Sequence, residues 1–212
     1  MNNYLKTLLG ALTITAFTVS SAYSGMGVSL MYGKVETDGT ETERTVSGVT
    51  SETTNASKSE NYIGGSVFAE TEYAGLTLGL DVVPFKIKLG DGKRTDTTSD
   101  ANETTQEDGT VTAEANLDYL TTIYAHYPIG DWYAGLGYHM TKVSTDETLH
   151  TSSYGNENIN GLQYAIGKNS GNLRYELSYS DFDSISLTSS NGDKITADAD
   201  NLMFKLSYIF GN

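Results

Sequence analysis

Apolar and polar side chains alternate residue by residue through much of this chain, most cleanly near its C-terminal end. From Leu202 to Phe210, the residues Leu202, Phe204, Leu206, Tyr208 and Phe210 share one face, while Met203, Lys205, Ser207 and Ile209 share the other. Successive side chains of a strand point to opposite faces, so the run predicts a strand with one oily and one mostly polar side. Comparable alternation predicts eight strands, at about 25–36, 60–72, 76–89, 114–128, 132–144, 158–169, 173–187 and 196–210.

The oily faces are rich in Tyr and Leu. They comprise Met26, Val28, Leu30 and Tyr32 in the first strand and Ile63, Val67, Ala69 and Tyr73 in the second. The third offers Leu76, Leu78, Leu80 and Val82, then Phe85, Ile87 and Leu89 after a change of parity at Val83-Pro84. Proline cannot donate to a ladder, so that change predicts a bulge there. Leu117, Tyr119, Ile123 and Tyr127 follow, then Trp132, Ala134, Leu136, Tyr138 and Met140. The last oily sets before the final strand are Leu162, Tyr164 and Ile166, then Leu173, Tyr175, Leu177 and Tyr179.

The connections alternate in length. Those at about 37–59, 90–113 and 145–157 are long or intermediate, and one at about 188–195 carries an Asn191-Gly192 turn signal. Those at Tyr73-Ala74-Gly75, Pro128-Ile129-Gly130-Asp131 and Asn169-Ser170-Gly171-Asn172 are short. Alternation of this kind is the signature of an up-and-down barrel whose two rims face different compartments. The expected fold class is therefore all-β, a transmembrane up-and-down antiparallel β-barrel of eight strands.

Composition supports export and excludes some partners. Residues 1–24 read as a signal peptide: Lys6 precedes the short apolar core Leu8–Val19, and cleavage is expected after Ala22 or Ser24. That leaves 25–212 as the barrel. The apolar core is shorter than the roughly 20 residues a membrane-spanning helix needs. The chain has no Cys, so no disulfide closes the fold. A net charge of −14 argues against nucleic acid as a partner and against docking on an anionic leaflet.

An eight-stranded barrel is just wide enough for side chains to fill. The residues expected inside are Glu70, Asp81, Lys86, Lys88, Asp118, His126, His139, Arg174, Glu176 and Lys205, among small neighbours such as Gly79 and Gly167. Buried charges must pair or lose heavily in desolvation. Folding about Ser190–Gly192 brings Glu176 directly or diagonally opposite Lys205. Folding the third strand on the fourth about the middle of the long connection could bring Lys86 near Asp118, although a connection of that length does not fix the register. Folding about Ser170-Gly171 places Glu176 near Ala165 and Arg174 near Gly167. The same charges admit two readings, a paired plug or an ion path.

These features together resemble the small outer-membrane β-barrels of Gram-negative bacteria, the OmpA/OmpX-like, opacity-type and porin-like group. The resemblance rests on the leader, the eight alternating strands, the short and long connections, and the final strand. Phe204, Leu206, Tyr208 and Phe210 match the family's C-terminal assembly strand, although Gly211-Asn212 follow where a typical member ends on the aromatic. It implies an outer-membrane location, lipid neighbours, a monomer, and a structural or surface-interaction role through four outward loops facing a surface ligand, host or phage. A small channel for ions or solutes is the alternative.

Enzyme chemistry is weakly signalled. No Cys nucleophile, His-Glu-x-x-His or phosphate loop is present. His150 beside Thr151-Ser152-Ser153, with Asp146 nearby, is the one candidate set for a hydrolase or acyltransferase. Asp91, Asp96, Asp100, Glu103, Glu107 and Asp108 crowd one connection, and Asp193, Asp198 and Asp200 lie near another, without Ca²⁺-loop spacing. The expectation is no catalytic residue, no metal and no cofactor.

Overall fold

The computed structural model describes residues 24–44, 50–96, 109–148, 153–190 and 192–210. The expected leader falls outside these residues. Ten strand segments are described: β1 (Ser24–Arg44), β2 (Thr50–Tyr73), β3 (Leu76–Val82), β4 (Ile87–Asp96), β5 (Gly109–Ile129), β6 (Trp132–Glu147), β7 (Glu157–Ser170), β8 (Leu173–Phe182), β9 (Ile185–Thr188) and β10 (Lys194–Phe210). They form a ring of eight, β1-β2-β3-β5-β6-β7-β8-β10, closed by antiparallel pairing of β1 with β10. β4 continues the line of β3, and β9 that of β8.

Three turns close one rim, and each contains a glycine at positive φ: Gly75 (78°), Gly130 (65°) and Gly171 (59°). Above them the outward face is apolar, from Met26 and Phe210 at this rim to Tyr32, Ile63, Tyr138 and Tyr179 higher up. A closed ladder leaves no backbone group unpaired, which is what lets a sheet sit in hydrocarbon. The turn at 171–172 pairs Ser170 with Leu173, so Gly167 faces Glu176 and Ala165 faces Ser178. The expected register of this hairpin is therefore off by two residues.

The strands run well beyond this belt. β1 reaches Arg44 and β2 starts at Thr50, paired across most of the stretch expected as a loop at 37–59. Thr and Ser suit strands but carry no apolar alternation, so the pattern hides them.

In this upper part the ring divides. β2 pairs with β3 only over Tyr73–Val67. β4 pairs only with β5, and β9 only with β10, among the described residues. What remains is two four-stranded sheets, β2-β1-β10-β9 and β4-β5-β6-β7. Their inner faces bury an apolar core: Met31, Val35, Ala199 and Met203 from the first, and Ile87, Leu89, Leu117 and Val143 from the second. Two sheets packed over such a core make a sandwich, here mounted on a barrel.

This division corrects the reading of the third and fourth strands. Phe85, Ile87 and Leu89 do not continue the lipid face: Ile87 and Leu89 are each 2% exposed and face inward, and Phe85 packs against the same core. Leu117, at 1% exposed, is also inside. The chain does break at residues 83–86, as Val83-Pro84 suggests, but inward and outward positions keep their parity across the break. It is the solvent that changes. Below, the outside is lipid and oily residues point out; above, the outside is water and they point in. The slips of register lie beyond it, between Lys88 and Gly90 on β4 and between Asp118 and Thr121 on β5, where Tyr119 adopts a φ of 51°. That value is unusual for a bulky residue and marks the bulge.

Candidate functional site: the charged interior

Side chains from six strands meet inside the belted half of the barrel. Glu70 comes from β2, Asp81 from β3, His126 from β5, Tyr133 from β6, Arg174 and Glu176 from β8, and Lys205 from β10. All five charged residues other than the histidine are nearly or wholly enclosed, with side chains 3–11% exposed.

Two linked groups form the centre. Arg174 donates from Nη1 to Glu70 Oε2 and from Nη2 to Glu70 Oε1, each at 2.8 Å, and from Nε to Asn169 Oδ1 at 3.1 Å. Tyr124 adds an O–H bond to Glu70 at 2.9 Å. Lys205 donates to Asp81 at 3.2 Å and lies 3.4 Å from Glu176 Oε1, directly opposite it in register. Tyr133 donates to Glu176 Oε2 at 2.6 Å, and Ser66 to Asp81 at 3.0 Å. Glu176 Oε1 makes no well-aligned hydrogen bond, so its contact with Lys205 is ionic. Bidentate and charge-assisted bonds of this kind are the strongest a side chain makes.

Aromatic rings seat the charges. His126 is stacked between Tyr124 and Tyr133, with centroids 4.5 and 4.1 Å away, and its Nε2 lies 3.5 Å from Glu176. The Arg174 guanidinium lies over both Phe68 and Tyr133 at 5.6 Å. The rings can lie flat because a glycine faces each across the ladder: Gly27 for Phe68, Gly79 for Tyr124 and Gly167 for Tyr133. A Cβ at Gly79 would meet the Tyr124 ring at 2.1 Å, and one at Gly167 would meet Tyr133 at 2.2 Å. Reading the sequence for charge alone misses these aromatics, although parity marks them: Tyr124 shares the face of His126, and Tyr133 that of His139.

Above this cluster His139 takes part in a hydrogen-bonded chain with two hydroxyls. Its Nδ1 is 2.7 Å from Thr122 Oγ1 and its Nε2 is 2.9 Å from Ser180 Oγ. Ser180 in this serine–histidine contact is fully enclosed, at 0% exposed.

Three of the expected interior charges lie elsewhere. Lys86 is exposed and pairs with Asp146 at 2.7 Å. That hydrogen bond holds its ammonium above the usual lysine range. Lys88 is partly exposed and pairs with Asp91 at 2.9 Å and Glu114 at 3.8 Å. Asp118 is half-buried and accepts from Ser144 at 2.8 Å. All three lie on the water-exposed part of the wall, at even positions that face outward above the break.

The candidate catalytic set falls largely outside the described residues. His150, Thr151 and Ser152 lie outside them, Asp146 is engaged with Lys86, and the Ser153 amide donates to Ser190 Oγ at 3.3 Å. Of the acidic connection, Asp100, Glu103, Glu107 and Asp108 also lie outside. No cluster of three or more His, Asp or Glu arranged for a metal occurs among the described residues.

No protein-family model and no curated protein sequence matches the chain. Solved structures do. The outer-membrane protease OmpT of Escherichia coli superposes with a TM-score of 0.53 at 9% identity, covering 90% of this chain and 99% of that one. OprG of Pseudomonas aeruginosa gives 0.49 at 13% identity, covering 88% and 97%. Neisserial surface protein A gives 0.43 at 11% identity, covering 85% and 96%. The fold is that of the bacterial outer-membrane barrels, and the exposed apolar belt is the surface such a barrel buries in the outer membrane.

Proposed function

We propose that this chain is a sealed outer-membrane barrel that acts through what it displays. The strands and four connections beyond the belt face the cell exterior and meet a surface ligand, a host cell or a phage. The observation that carries the reading is the filled cross-section. Glu70, Asp81, Arg174, Glu176 and Lys205 tie strands together across the lumen, and a pocket beside Asp81, Arg174, Glu176 and Lys205 holds about 10 Å³, room for roughly one water. The apolar sandwich core lies above it. Ions would need a continuous wet path, and the close packing of both layers favours the sealed reading. OmpT is a protease, but a likeness of fold carries no activity to this chain.

Two measurements test the reading. Liposomes containing the refolded protein should swell in a small sugar no faster than protein-free liposomes; size-dependent swelling would favour a channel. An epitope tag inserted between Asp96 and Gly109 should be labelled on intact cells. Labelling only after the outer membrane is broken would reverse the orientation.

A further inference from the structure

The two sheets of the upper sandwich meet along two seams, and the seams are built differently. At the β7–β9 seam, hydrogen bonds to main-chain groups replace the missing ladder. Asp183 N donates to Asn160 O at 2.7 Å, Asn160 N to Asp183 Oδ2 at 3.3 Å, and Ser186 N to Glu157 Oε2 at 2.6 Å. Ser190 N reaches Ser153 O at 3.1 Å. At the β2–β4 seam no bond joins main chain to main chain among the described residues, and side chains make the contacts. The Phe85 ring lies on Gly64 and the Lys58 stem lies against Gly90, while Thr37 Oγ1, from β1 behind the seam, donates to Leu89 O at 3.3 Å. Edges held by side-chain contact open before edges held by main-chain bonds.

The weaker seam begins where the lipid belt ends. Ile63, next to Gly64, is 74% exposed on the outward face, and Val67 and Val82 form the last ladder pair below. Directly behind the seam lie Met31, Val35, Ile87 and Leu89. The seam is thus continuous on one side with the lipid-facing surface and on the other with an apolar core.

We infer that the sandwich opens along β2–β4, hinged at β7–β9, and admits an apolar chain from the adjoining lipid leaflet into the core between the sheets. Phe85 is the door: its ring fills the place a side chain at residue 64 would take. The sealed charge layer beneath keeps such a guest from passing on through the barrel. Naming that leaflet the outer one rests on the orientation proposed above; the seam itself does not.

The absence of cysteine makes the test clean. A Cβ at Gly90 would lie 3.3 Å from Lys58 Cβ, close to the roughly 3.5–4.5 Å of a disulfide. The double variant Lys58→Cys, Gly90→Cys is reconstituted in vesicles doped in both leaflets with a phospholipid bearing a diazirine in its acyl chain. A heat-modifiable gel shift confirms folding, and adducts are mapped by mass spectrometry after irradiation. Reduced protein should carry adducts on Ile87, Leu89 or Val35 as well as on belt residues, and oxidised protein should lose at least tenfold of the interior adducts. Adducts confined to the belt in both forms, or interior adducts that persist after oxidation, would overturn the inference. Because both leaflets are labelled, a reversed orientation leaves this outcome unchanged.

Discussion

Arg174 on β8 and Glu70 on β2 belong to strands that are not neighbours, yet they join across the lumen through two parallel 2.8 Å bonds. With Lys205 held between Asp81 and Glu176, this pair turns the interior of the belted half into a set of cross-braces. A brace differs from a surface ion pair because neither partner can fall back on water.

Breaking one partner should therefore be costly. Arg174→Met leaves Glu70 enclosed with only Tyr124 to donate to it, and should lower stability by about 3–5 kcal/mol. The double variant Arg174→Met, Glu70→Met removes both charges and should recover much of the loss. Urea unfolding in detergent, followed by the heat-dependent gel shift, measures both. Equal losses in the single and double variants would show that packing of Arg174, and not its charge, supports the barrel.

The glycines beneath the rings give a packing prediction. Gly79→Ala forces the Tyr124 ring from its seat and, with it, the bond to Glu70. Overpacking of this kind costs about 1–3 kcal/mol. Gly92→Ala on β4 is the control: a Cβ there meets nothing within 4 Å, and the change should stay within about 0.5 kcal/mol.

Tyr154 ties the two sheets at the top of the sandwich. Its hydroxyl donates to Glu41 on β1 at 2.7 Å, and its amide donates to Glu147 on β6. Burial first, and then the bond to Glu41, hold its phenol above the ordinary tyrosine range. A raised folded pKa means the folded state keeps its proton after the unfolded chain has lost it. The contribution is complete below the ordinary tyrosine pKa of about 10 and is lost as pH rises beyond it. Wild-type protein should lose more stability between pH 9 and 11 than Tyr154→Phe does. Matching slopes would remove Tyr154 from the account.

Single-cysteine labelling checks the side each residue faces above the break. In intact folded protein, Lys86→Cys should react quickly with a charged, water-soluble maleimide, and Ile87→Cys should stay unlabelled until unfolding. The opposite order would restore the face that alternation alone suggests.

That reversal shows how far the sequence can be read. Alternation at Leu202–Phe210 or Leu173–Tyr179 locates strands because lipid on one side and polar lumen on the other give the two faces different chemistry. A turn and a count of residues bring Glu176 directly or diagonally opposite Lys205, and the ladder makes it the direct partner. Thr53–Ser59 gives no such signal, since water outside and small polar groups along the strand erase the contrast. Phe85, Ile87 and Leu89 keep the contrast but reverse its meaning, because the medium outside changes from lipid to water. Alternation reports that the two faces differ, and the neighbouring strands decide which face is which. Tyr124 and Tyr133 are legible by parity with His126 and His139, but an amphipathic ring suits a lipid interface as well as a polar lumen, so its chemistry alone misplaces it. No pattern in the chain announces the two seams, because a missing ladder is a relation between strands and leaves no mark on either one.

The central claim is that the interior is sealed by its own charges, and electrical recording tests it most directly. Purified protein inserted in a planar lipid bilayer, with folding confirmed by its gel shift, should give no discrete current steps at moderate voltage in molar KCl. Reproducible unitary steps that vanish when Arg174 or Lys205 is replaced by a bulkier apolar residue would contradict it and establish an ion path through the same cluster.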